Sequence, residues 1–439
     1  MTKFSRRQFI ITAGATAAGT LLVHGCSSNS SNPTPSTSKS PAVNVNPADA
    51  PEVTKATLGF IALTDSAPLI IAKEKGLFDK YGMKDVKVSK QTSWAATRDN
   101  LELGAAGDGI DGAHILTPMP YLISEGAITK GNKKIPMYIL ARLNLNGQCI
   151  SIANNYKADK IDIKGTGLKE AFAKVKSGGK EIKCAVTFPG GTHDLWMRYW
   201  LSASGINPDK DISTIVIPPP QMVTNMKENS MEAFCVGEPW NGQLVNQKLG
   251  YTALTTGELW NNHPEKSFAM RADWVDKYPK ATKALLMAIQ EAQVWCDKME
   301  NKEEMAKILS KREWFKAPAQ DIVDRAKGKF DYGDGRIVEN SPHLMKFWSD
   351  NASYPFQSHE LWFLTEDIRW GYLPASLDSK ALIKKVNRED LWKEAAKAIG
   401  QEAAIPASTS RGVETFFDGI KFDPEKPEDY LKSLKIKKA

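Results

Sequence analysis

The sequence lacks the short motifs that mark most enzymes and metal proteins. Its six histidines show neither HxH nor HExxH spacing, and its five cysteines include no CxxC pair, so a zinc site is not expected. Neither a GxSxG nucleophile motif, nor a P-loop, nor a dinucleotide-binding fingerprint is present. We therefore expect no enzyme and no cofactor. An exported enzyme that uses a histidine and a lysine in acid–base chemistry is the weaker alternative.

Strong charge of one sign and membrane-length hydrophobic runs are also missing. The 58 basic and 51 acidic residues give a net charge of +7, and the lysines are scattered among Asp and Glu rather than clustered. This pattern argues against nucleic acid as a partner and against an extensive membrane-binding face, whereas a mild positive surplus suits a small anion. The apolar run that ends at Val23 is too short and too rich in Ala, Gly and Thr for a membrane-spanning helix.

The first 26 residues have the pattern of an export signal. Arg6 and Arg7 precede the apolar run, and SRRQFI resembles a twin-arginine signal, which serves proteins that fold before export. Cys26 follows LVHG and resembles the lipidated cysteine of a lipoprotein. We predict a removed signal at 1–25, a lipid anchor on Cys26 and a disordered Ser/Pro-rich tether at 26–52. The alternative is a secreted protein in which Cys26 is incidental.

Strand-like and amphipathic helical segments alternate from residue 55 to about residue 240, which predicts an α/β fold with mainly parallel sheets flanked by helices. The elements divide most simply into two lobes, 53–146 plus 242–439 and 147–241, with hinges near Asn146 and Asn241 and a helical C-terminal extension. Three cysteines fall in strand-like runs, where buried free thiols are expected and disulfides are the alternative: Cys149, Cys184 and Cys235.

Ligands of open α/β sheets bind at the carboxyl ends of the strands, and the segment TFPGGTHDLW shows this arrangement most clearly. A strand ends at Phe188, and Thr192 and His193 open a helix whose free N–H groups favour an anion. A plain capped helix is the alternative. Three further candidates have equally ordinary explanations, namely a core aromatic for Trp94, a solvated amide for Gln148 and a surface ion pair with Glu265 for Lys266.

Several segments, taken in order, resemble substrate-binding proteins of ABC importers for nitrate, sulfonates and thiamine precursors: LTDSAPLIIAKEKGLFDKYGM, DGIDGAHILTPMPYLI and AFCVGEPW. A longer set resembles the nitrate and bicarbonate branch, above all its nitrate-binding members: SWAATRDNLELG, TFPGGTHDLWMRYWL, HPEKSFAMRADWV and DIRWGYLP. The resemblance implies a two-lobed periplasmic-binding-protein clamp, held by its lipid at the periplasmic face of the inner membrane. Such a clamp captures nitrate or nitrite and delivers it to an ABC permease and its ATPase subunits.

The resemblance also implies the ligand-binding residues: Trp94, Gln148, His193 and Lys266, with Gly191, Thr192 and Val236 as neighbours. This set is rich in donors, which suits the three acceptor oxygens of nitrate, whereas bicarbonate carries a hydroxyl that needs an acceptor. Nitrate is therefore expected if Lys266 points inward, and bicarbonate if Glu265 does. Bicarbonate, an organic sulfonate, and a receptor that signals to a membrane kinase remain the alternatives.

Overall fold

A computed structural model of the chain describes residues 50–436. The predicted signal at 1–25, the lipidation at Cys26 and nearly all of the tether at 26–52 lie outside the described residues. The strands are β1 (Lys55–Phe60), β2 (Asp85–Lys90), β3 (Gly112–Leu116), β4 (Met137–Arg142), β5 (Gln148–Ala153), β6 (Lys183–Val186), β7 (Ser213–Val216), β8 (Ala233–Gly237), β9 (Gly250–Thr255), β10 (Lys266–Arg271), β11 (Phe330–Asp331), β12 (Ile337–Val338), β13 (Glu414–Thr415) and β14 (Lys421–Phe422).

The helices alternate with these strands and dominate after β10. They are α1 (Ala67–Glu74), α2 (Leu77–Lys80), α3 (Trp94–Leu103), α4 (Met119–Ser124), α5 (Leu168–Ser177), α6 (Thr192–Ala203), α7 (Met222–Lys227), α8 (Trp240–Asn246), α9 (Thr256–Leu259), α10 (Ala272–Lys277), α11 (Pro279–Asp297), α12 (Lys302–Leu309), α13 (Gln320–Ala326), α14 (Gln357–Arg369), α15 (Ser379–Val386), α16 (Glu389–Ala398) and α17 (Pro427–Ser433). The helical C-terminal extension that the sequence predicts is thereby confirmed.

Two five-stranded sheets share one topology. The strand order is β2-β1-β3-β10-β4 in the first sheet and β7-β6-β8-β5-β9 in the second. In each sheet four strands run in one direction, and a single strand, β10 or β5, runs antiparallel to both of its neighbours. Each reversed strand is the first one after the chain crosses from the other sheet. The predicted α/β fold with two mainly parallel sheets is confirmed.

The second predicted lobe boundary needs correction. The chain leaves the first sheet after Arg142, enters the second at Gln148 and returns only between Thr255 and Lys266. Strand β9 completes the second sheet by antiparallel pairing with β5, so this sheet continues past the predicted boundary at 241. Asn241 lies buried in α8, where its side chain donates to the backbone oxygen of Val236 at 2.8 Å, and the chain returns to the first sheet only at 256–265.

The C-terminal extension contacts both lobes. Glu360 of α14 forms a fully buried ion pair with Arg142 of β4 in the first sheet. Trp362, also on α14, stacks on Trp196 of α6 beside the second sheet, with ring centres 4.9 Å apart. Helix α14 of the extension therefore links the two lobes through these two contacts.

Three further features can be stated of residues 50–436. The cysteines in this range are buried free thiols, so the disulfide alternative does not hold there: Cys149, Cys184, Cys235 and Cys296. No helix in the range combines the length and the apolar content that crossing a membrane requires. No three or more His, Cys, Asp or Glu side chains of the range are grouped in a way that could hold a metal ion.

Candidate functional site

A set of polar and aromatic side chains meets between the two sheets. We call it the interlobe cluster, and its members are Asp65, Trp94, His114, Gln148, Thr192, His193, Trp196, Glu265 and Lys266. None of these residues exposes more than 1% of its surface. The cluster contains five of the seven predicted ligand-binding residues as side chains, and Gly191 lies against it through its backbone.

Trp94 and Lys266 approach each other at one side of the cluster. Helix α3 begins at Trp94 because the Ser93 hydroxyl accepts the Ala96 backbone N–H at 3.1 Å and caps the helix. The Lys266 Nζ atom lies 5.8 Å from the centre of the Trp94 ring, a distance typical of a cation–π contact. Trp94 is thus buried like a core aromatic, yet it also faces a charged group.

Gln148 joins the two lobes. It is the first residue of β5, and its Nε2 atom donates to Oδ2 of Asp65, in the turn after β1, at 3.3 Å. Gly237 of β8 lies opposite Gln148, and a Cβ atom there would lie 2.6 Å from Gln148 Oε1, so a larger residue would displace the Gln148 amide from its position. Val236 pairs instead with Cys149, and its side chain points to the other face of the sheet. The structure therefore brings Gly237, and not the Val236 side chain, against Gln148.

The start of α6 supplies Thr192 and His193. Gly190 adopts a φ of +70°, and its N–H donates to Asp194 Oδ2 at 2.9 Å, which turns the chain into the helix. A Cβ atom on Gly191 would lie 2.6 Å from a side-chain carbon of Leu116, so glycine lets the helix start approach the end of β3. His193 places Nδ1 2.6 Å from the Thr187 hydroxyl and Nε2 3.7 Å from Glu265 Oε1.

Glu265 and Lys266, which the sequence presents as alternatives, both point into the cluster. The Lys266 ammonium lies 2.7 Å from Glu265 Oε1 and 3.0 Å from Asp65 Oδ2. The Glu265 carboxylate also accepts hydrogen bonds from the Thr192 hydroxyl and, at 2.8 Å, from the Trp196 indole. The lysine therefore faces the Trp94 side, while the carboxylate is occupied by donors of the protein itself. The surface-ion-pair interpretation of Lys266 is wrong, because the pair is buried.

The charge state of the cluster follows from these contacts. Burial would raise the pKa of Asp65, but Lys266 and His114 hold it well below its usual range. Burial would lower the pKa of Lys266, but the charges of Asp65 and Glu265 outweigh this effect and raise it. Burial and the positive charge of Lys266 lower the pKa of His193 to about 3. At neutral pH Asp65 is therefore a carboxylate, Lys266 an ammonium and His193 a neutral ring.

His114 has a defined tautomer. The Ile61 backbone N–H donates to its Nδ1 atom at 3.4 Å, so the ring carries its proton on Nε2, which donates to Asp65 Oδ1 at 2.6 Å. Burial, the largest effect, lowers the pKa of His114, which agrees with a neutral ring. His114 therefore orients the carboxylate that holds both Lys266 and Gln148.

Sequence reasoning missed Asp65, His114 and Trp196. A histidine inside the otherwise apolar strand GAHIL is a usable signal, because a buried imidazole needs polar partners. Thr192 and Trp196 are four residues apart on α6 and thus share a helix face, which is a second signal. Asp65 gave no comparable signal, because an aspartate near a helix start is common.

Three polar atoms of the cluster are buried without a hydrogen-bond partner among the described residues: Trp94 Nε1, Gln148 Oε1 and His193 Nε2. A buried unpaired polar group is costly and rare, so each needs an explanation. The Trp94 indole N–H is a hydrogen-bond donor. The neutral His193 ring is also a donor at Nε2 when its proton lies on that nitrogen, and the Lys266 ammonium lies beside both. A small molecule with several acceptor oxygens would pair with these donors. The Gln148 amide would have to rotate to offer its NH2 group to such a molecule, because Oε1 is an acceptor.

Residues 49–310 match the model of the NMT1-like family, which is more than half of the chain. The chain belongs to the NMT1-like family. Its sequence is 62% identical to that of the nitrate/nitrite-binding protein NrtA of Nostoc sp., and the match covers 100% of both chains. It is 45% identical to the bicarbonate-binding protein CmpA of Synechococcus elongatus, over 99% of this chain and 98% of that one.

A solved structure agrees with the fold of this NMT1-like protein. The crystal structure of the periplasmic nitrate-binding protein NrtA from Synechocystis PCC 6803 superposes with a TM-score of 0.86 at 66% sequence identity. The superposition covers 88% of this chain and 100% of that chain. The close relatives of the chain are thus binding proteins.

Proposed function

We propose that this protein is the nitrate- and nitrite-binding component of an ABC importer, and that it binds its ligand in the interlobe cluster. The single observation that carries the proposal is the group of buried donors between the lobes, at Trp94, His193 and Lys266. Nitrate has three acceptor oxygens and no proton, so it can accept from all of them. The 62% identity with nitrate/nitrite-binding NrtA supports the same ligand.

The two lobes would act as a clamp. Trp94 and Lys266 belong to the first lobe, and Gln148 and His193 to the second, so an anion that contacts all four favours the closed form. Protein contacts also cross between the lobes in this closed form, such as the Thr192 hydroxyl bonded to Glu265. Opening breaks those contacts, and a bound anion adds further contacts that are complete only in the closed form.

Bicarbonate is the second candidate, and the carboxylate of Glu265 is the observation that favours it. A bicarbonate hydroxyl must donate to an acceptor, and Glu265 lies in the cluster. Both of its oxygens, however, already accept hydrogen bonds, from Lys266 and Thr192 on one side and from Trp196 on the other. Because both oxygens are occupied in this way, Glu265 is better placed to hold the donor side chains in position than to accept a hydrogen bond from a bicarbonate hydroxyl. An organic sulfonate is the remaining alternative within the fold.

The proposal gives the protein no catalytic step. It carries the ligand unchanged to an ABC permease and its ATPase subunits, at the periplasmic face of the membrane. Cys26 would carry the lipid that keeps the protein there. Replacement Cys26→Ser is expected to move the protein from the membrane fraction to the soluble extract of the cell envelope, and an unchanged membrane fraction would argue against the anchor.

Calorimetric titration of the purified protein tests the ligand. Nitrate, nitrite and bicarbonate are titrated separately, the first two in carbonate-depleted buffer. We expect binding of nitrate and nitrite and no heat from bicarbonate. Binding of bicarbonate alone would mean that Glu265 acts as the acceptor and that the nitrate proposal is wrong.

A further inference from the structure

We propose that the site takes up a proton together with the anion, and that His193 receives this proton. The inference rests on the proposed function, because it concerns the same cluster and uses nitrate as the ligand. It follows from the number of charges that the cluster already contains and from the free nitrogen of one histidine.

The charged groups of the cluster do not balance. Asp65 and Glu265 are carboxylates, and Lys266 is the cation that contacts both. Among the cluster residues this leaves one uncompensated negative charge, before any ligand is present. A nitrate ion adds a second one in a place where all side chains are buried. Coulomb repulsion is strong in such surroundings, and a proton taken up nearby would restore the original balance.

His193 is the cluster residue built to accept this proton. Its Nε2 atom has no hydrogen-bond partner among the described residues and lies 3.7 Å from Glu265 Oε1. Its Nδ1 atom lies 2.6 Å from the Thr187 hydroxyl, which can accept as well as donate. A doubly protonated ring would thus find an acceptor at Nδ1, and at Nε2 it would face both the carboxylate and the anion.

The charged and titratable groups that face His193 come from three elements. Glu265 and Lys266 lie at the start of β10, Asp65 lies in the turn after β1, and His114 lies on β3. Burial has the largest effect and, with Lys266, opposes protonation of His193, whereas the two carboxylates favour it, so the ring is neutral in the ligand-free site. An added anion changes that balance in favour of the imidazolium.

The other histidines near the cluster are less suited. His114 accepts the Ile61 N–H on Nδ1 at 3.4 Å, and protonation of that nitrogen would break this bond. His263 already has a partner at each nitrogen, the Pro264 carbonyl at 3.0 Å and the Thr256 hydroxyl at 2.7 Å. His263 therefore serves as a comparison residue in the experiment.

The consequence is a pH-dependent affinity. The complex holds a proton that the free protein lacks, so a lower pH favours the complex. With one proton taken up, the affinity for nitrate increases by up to about tenfold for each unit by which the pH falls. Nitrate itself does not titrate in this range, so any proton that is taken up goes to the protein.

The experiment is calorimetric titration of the full protein with nitrate at pH 6, in cacodylate and in bis-Tris, which differ in ionisation enthalpy. We expect apparent binding enthalpies that differ between the buffers by an uptake of up to about one proton, and a dissociation constant that falls from pH 7.5 to pH 5.5. Equal enthalpies in both buffers, with nitrate bound, would overturn this inference and leave the proposed function intact. Absence of nitrate binding in any buffer would overturn both.

The variant His193→Gln assigns the proton. Glutamine keeps an amide donor toward the anion but has no basic nitrogen, so nitrate should bind more weakly and with the same enthalpy in both buffers. The variant His263→Gln should retain the buffer dependence. Proton uptake that persists in His193→Gln would show that another group receives the proton and would overturn the assignment. Circular dichroism of both variants establishes that they are folded.

Discussion

The Nζ atom of Lys266 lies 5.8 Å from the centre of the Trp94 indole ring. Lys266 begins β10 and Trp94 begins α3, so two distant segments of the first lobe bring a cation and a flat aromatic surface together. A planar anion matches both features, because it can accept from the ammonium and lie against the ring.

Lys266→Ala tests the cation. The substitution removes the strongest donor and leaves Asp65 and Glu265 as unopposed negative charges, so the affinity for nitrate should fall by about a hundredfold or more. Calorimetric titration measures the loss, and circular dichroism establishes that the variant is folded. Lys307→Ala, at an exposed position on α12, is the matched control and should bind as the unmodified protein does. Unchanged binding in Lys266→Ala would remove this residue from the site.

Trp94→Phe tests the indole nitrogen separately from the ring. The Nε1 atom has no partner among the described residues, so its removal breaks no hydrogen bond of the ligand-free protein, and only the smaller volume of the buried ring should lower stability. Nitrate should bind about two- to tenfold more weakly, since one hydrogen bond contributes about 0.5–1.5 kcal/mol. Trp94→Ala also removes the ring and should weaken binding further. A Phe variant with full affinity would mean that the indole N–H does not contact the ligand.

Trp362→Ala tests whether the C-terminal extension supports the site. Trp362 stacks on Trp196, whose indole donates to Glu265 at 2.8 Å, and Glu265 in turn holds Lys266. We expect weaker nitrate binding together with a loss of about 3–5 kcal/mol in the free energy of unfolding, as is usual for a buried Trp. Trp362→Phe should recover most of the affinity.

The comparison for Trp362 is Trp348→Ala. Trp348 stacks on Trp392, elsewhere in the C-terminal half of the chain, with ring centres 5.8 Å apart. This variant should lose stability and retain its affinity for nitrate. Equal affinity losses in both variants would mean that the effect is one of general destabilisation and not of the contact with Trp196.

Much of the fold could be predicted from the sequence, because apolar strand-like runs and amphipathic helices alternate regularly. The second lobe boundary could not, since β9 follows directly after α8 and nothing local shows which sheet it joins. Its place depends on the free edge of β5, which is a property of the assembled sheet. Long-range pairing of this kind leaves no trace in a short sequence window.

The site was predictable only where local sequence sets the geometry. The turn at Gly190 and Gly191 places His193 at a helix start, as the pattern PGGTH indicates. The partners of Lys266 were not predictable, because Asp65 lies about two hundred residues away in the chain and meets it only after folding. For the same reason the sequence suggested a choice between Glu265 and Lys266, whereas the fold buries both.

Asp367→Asn is expected to stabilise the protein at neutral pH. Both carboxyl oxygens of Asp367 are buried without a hydrogen-bond partner among the described residues, and burial, with Asp194 and Glu366 nearby, raises its pKa well above the usual value. The folded state thus holds a proton that the unfolded state loses above about pH 4, so stability decreases as the pH rises. The variant should gain about 1–3 kcal/mol at pH 7.5 and nothing at pH 4.

Urea unfolding at the two pH values measures the gain in Asp367→Asn. The matched control is Asp159→Asn, at an exposed position, which should change stability at neither pH. A gain of equal size at pH 4 and pH 7.5 would contradict the titration of Asp367 and point to a packing effect instead.

Three buried histidines should make the ligand-free protein less stable in mild acid. Burial is the largest effect on all three and lowers their pKa values to about 3: His193, His263 and His359. Between about pH 6.5 and pH 3 the unfolded chain binds protons that the folded protein does not, so stability falls as the pH falls. Each histidine contributes up to about 1.4 kcal/mol per pH unit, and this contribution is fully present only above about pH 6.5.

Asp367 acts in the opposite direction over the same pH range, so the slope is best measured in two backgrounds. Urea unfolding of the ligand-free protein from pH 7 to pH 5 should show decreasing stability, and the decrease should be steeper in Asp367→Asn, where the opposing carboxyl is removed. His359→Gln, a change outside the interlobe cluster, should make the slope shallower. Stability that does not change with pH in either background would mean that these histidines are protonated in the folded protein. In that case the cluster would already contain the positive charge that we assign to the nitrate complex.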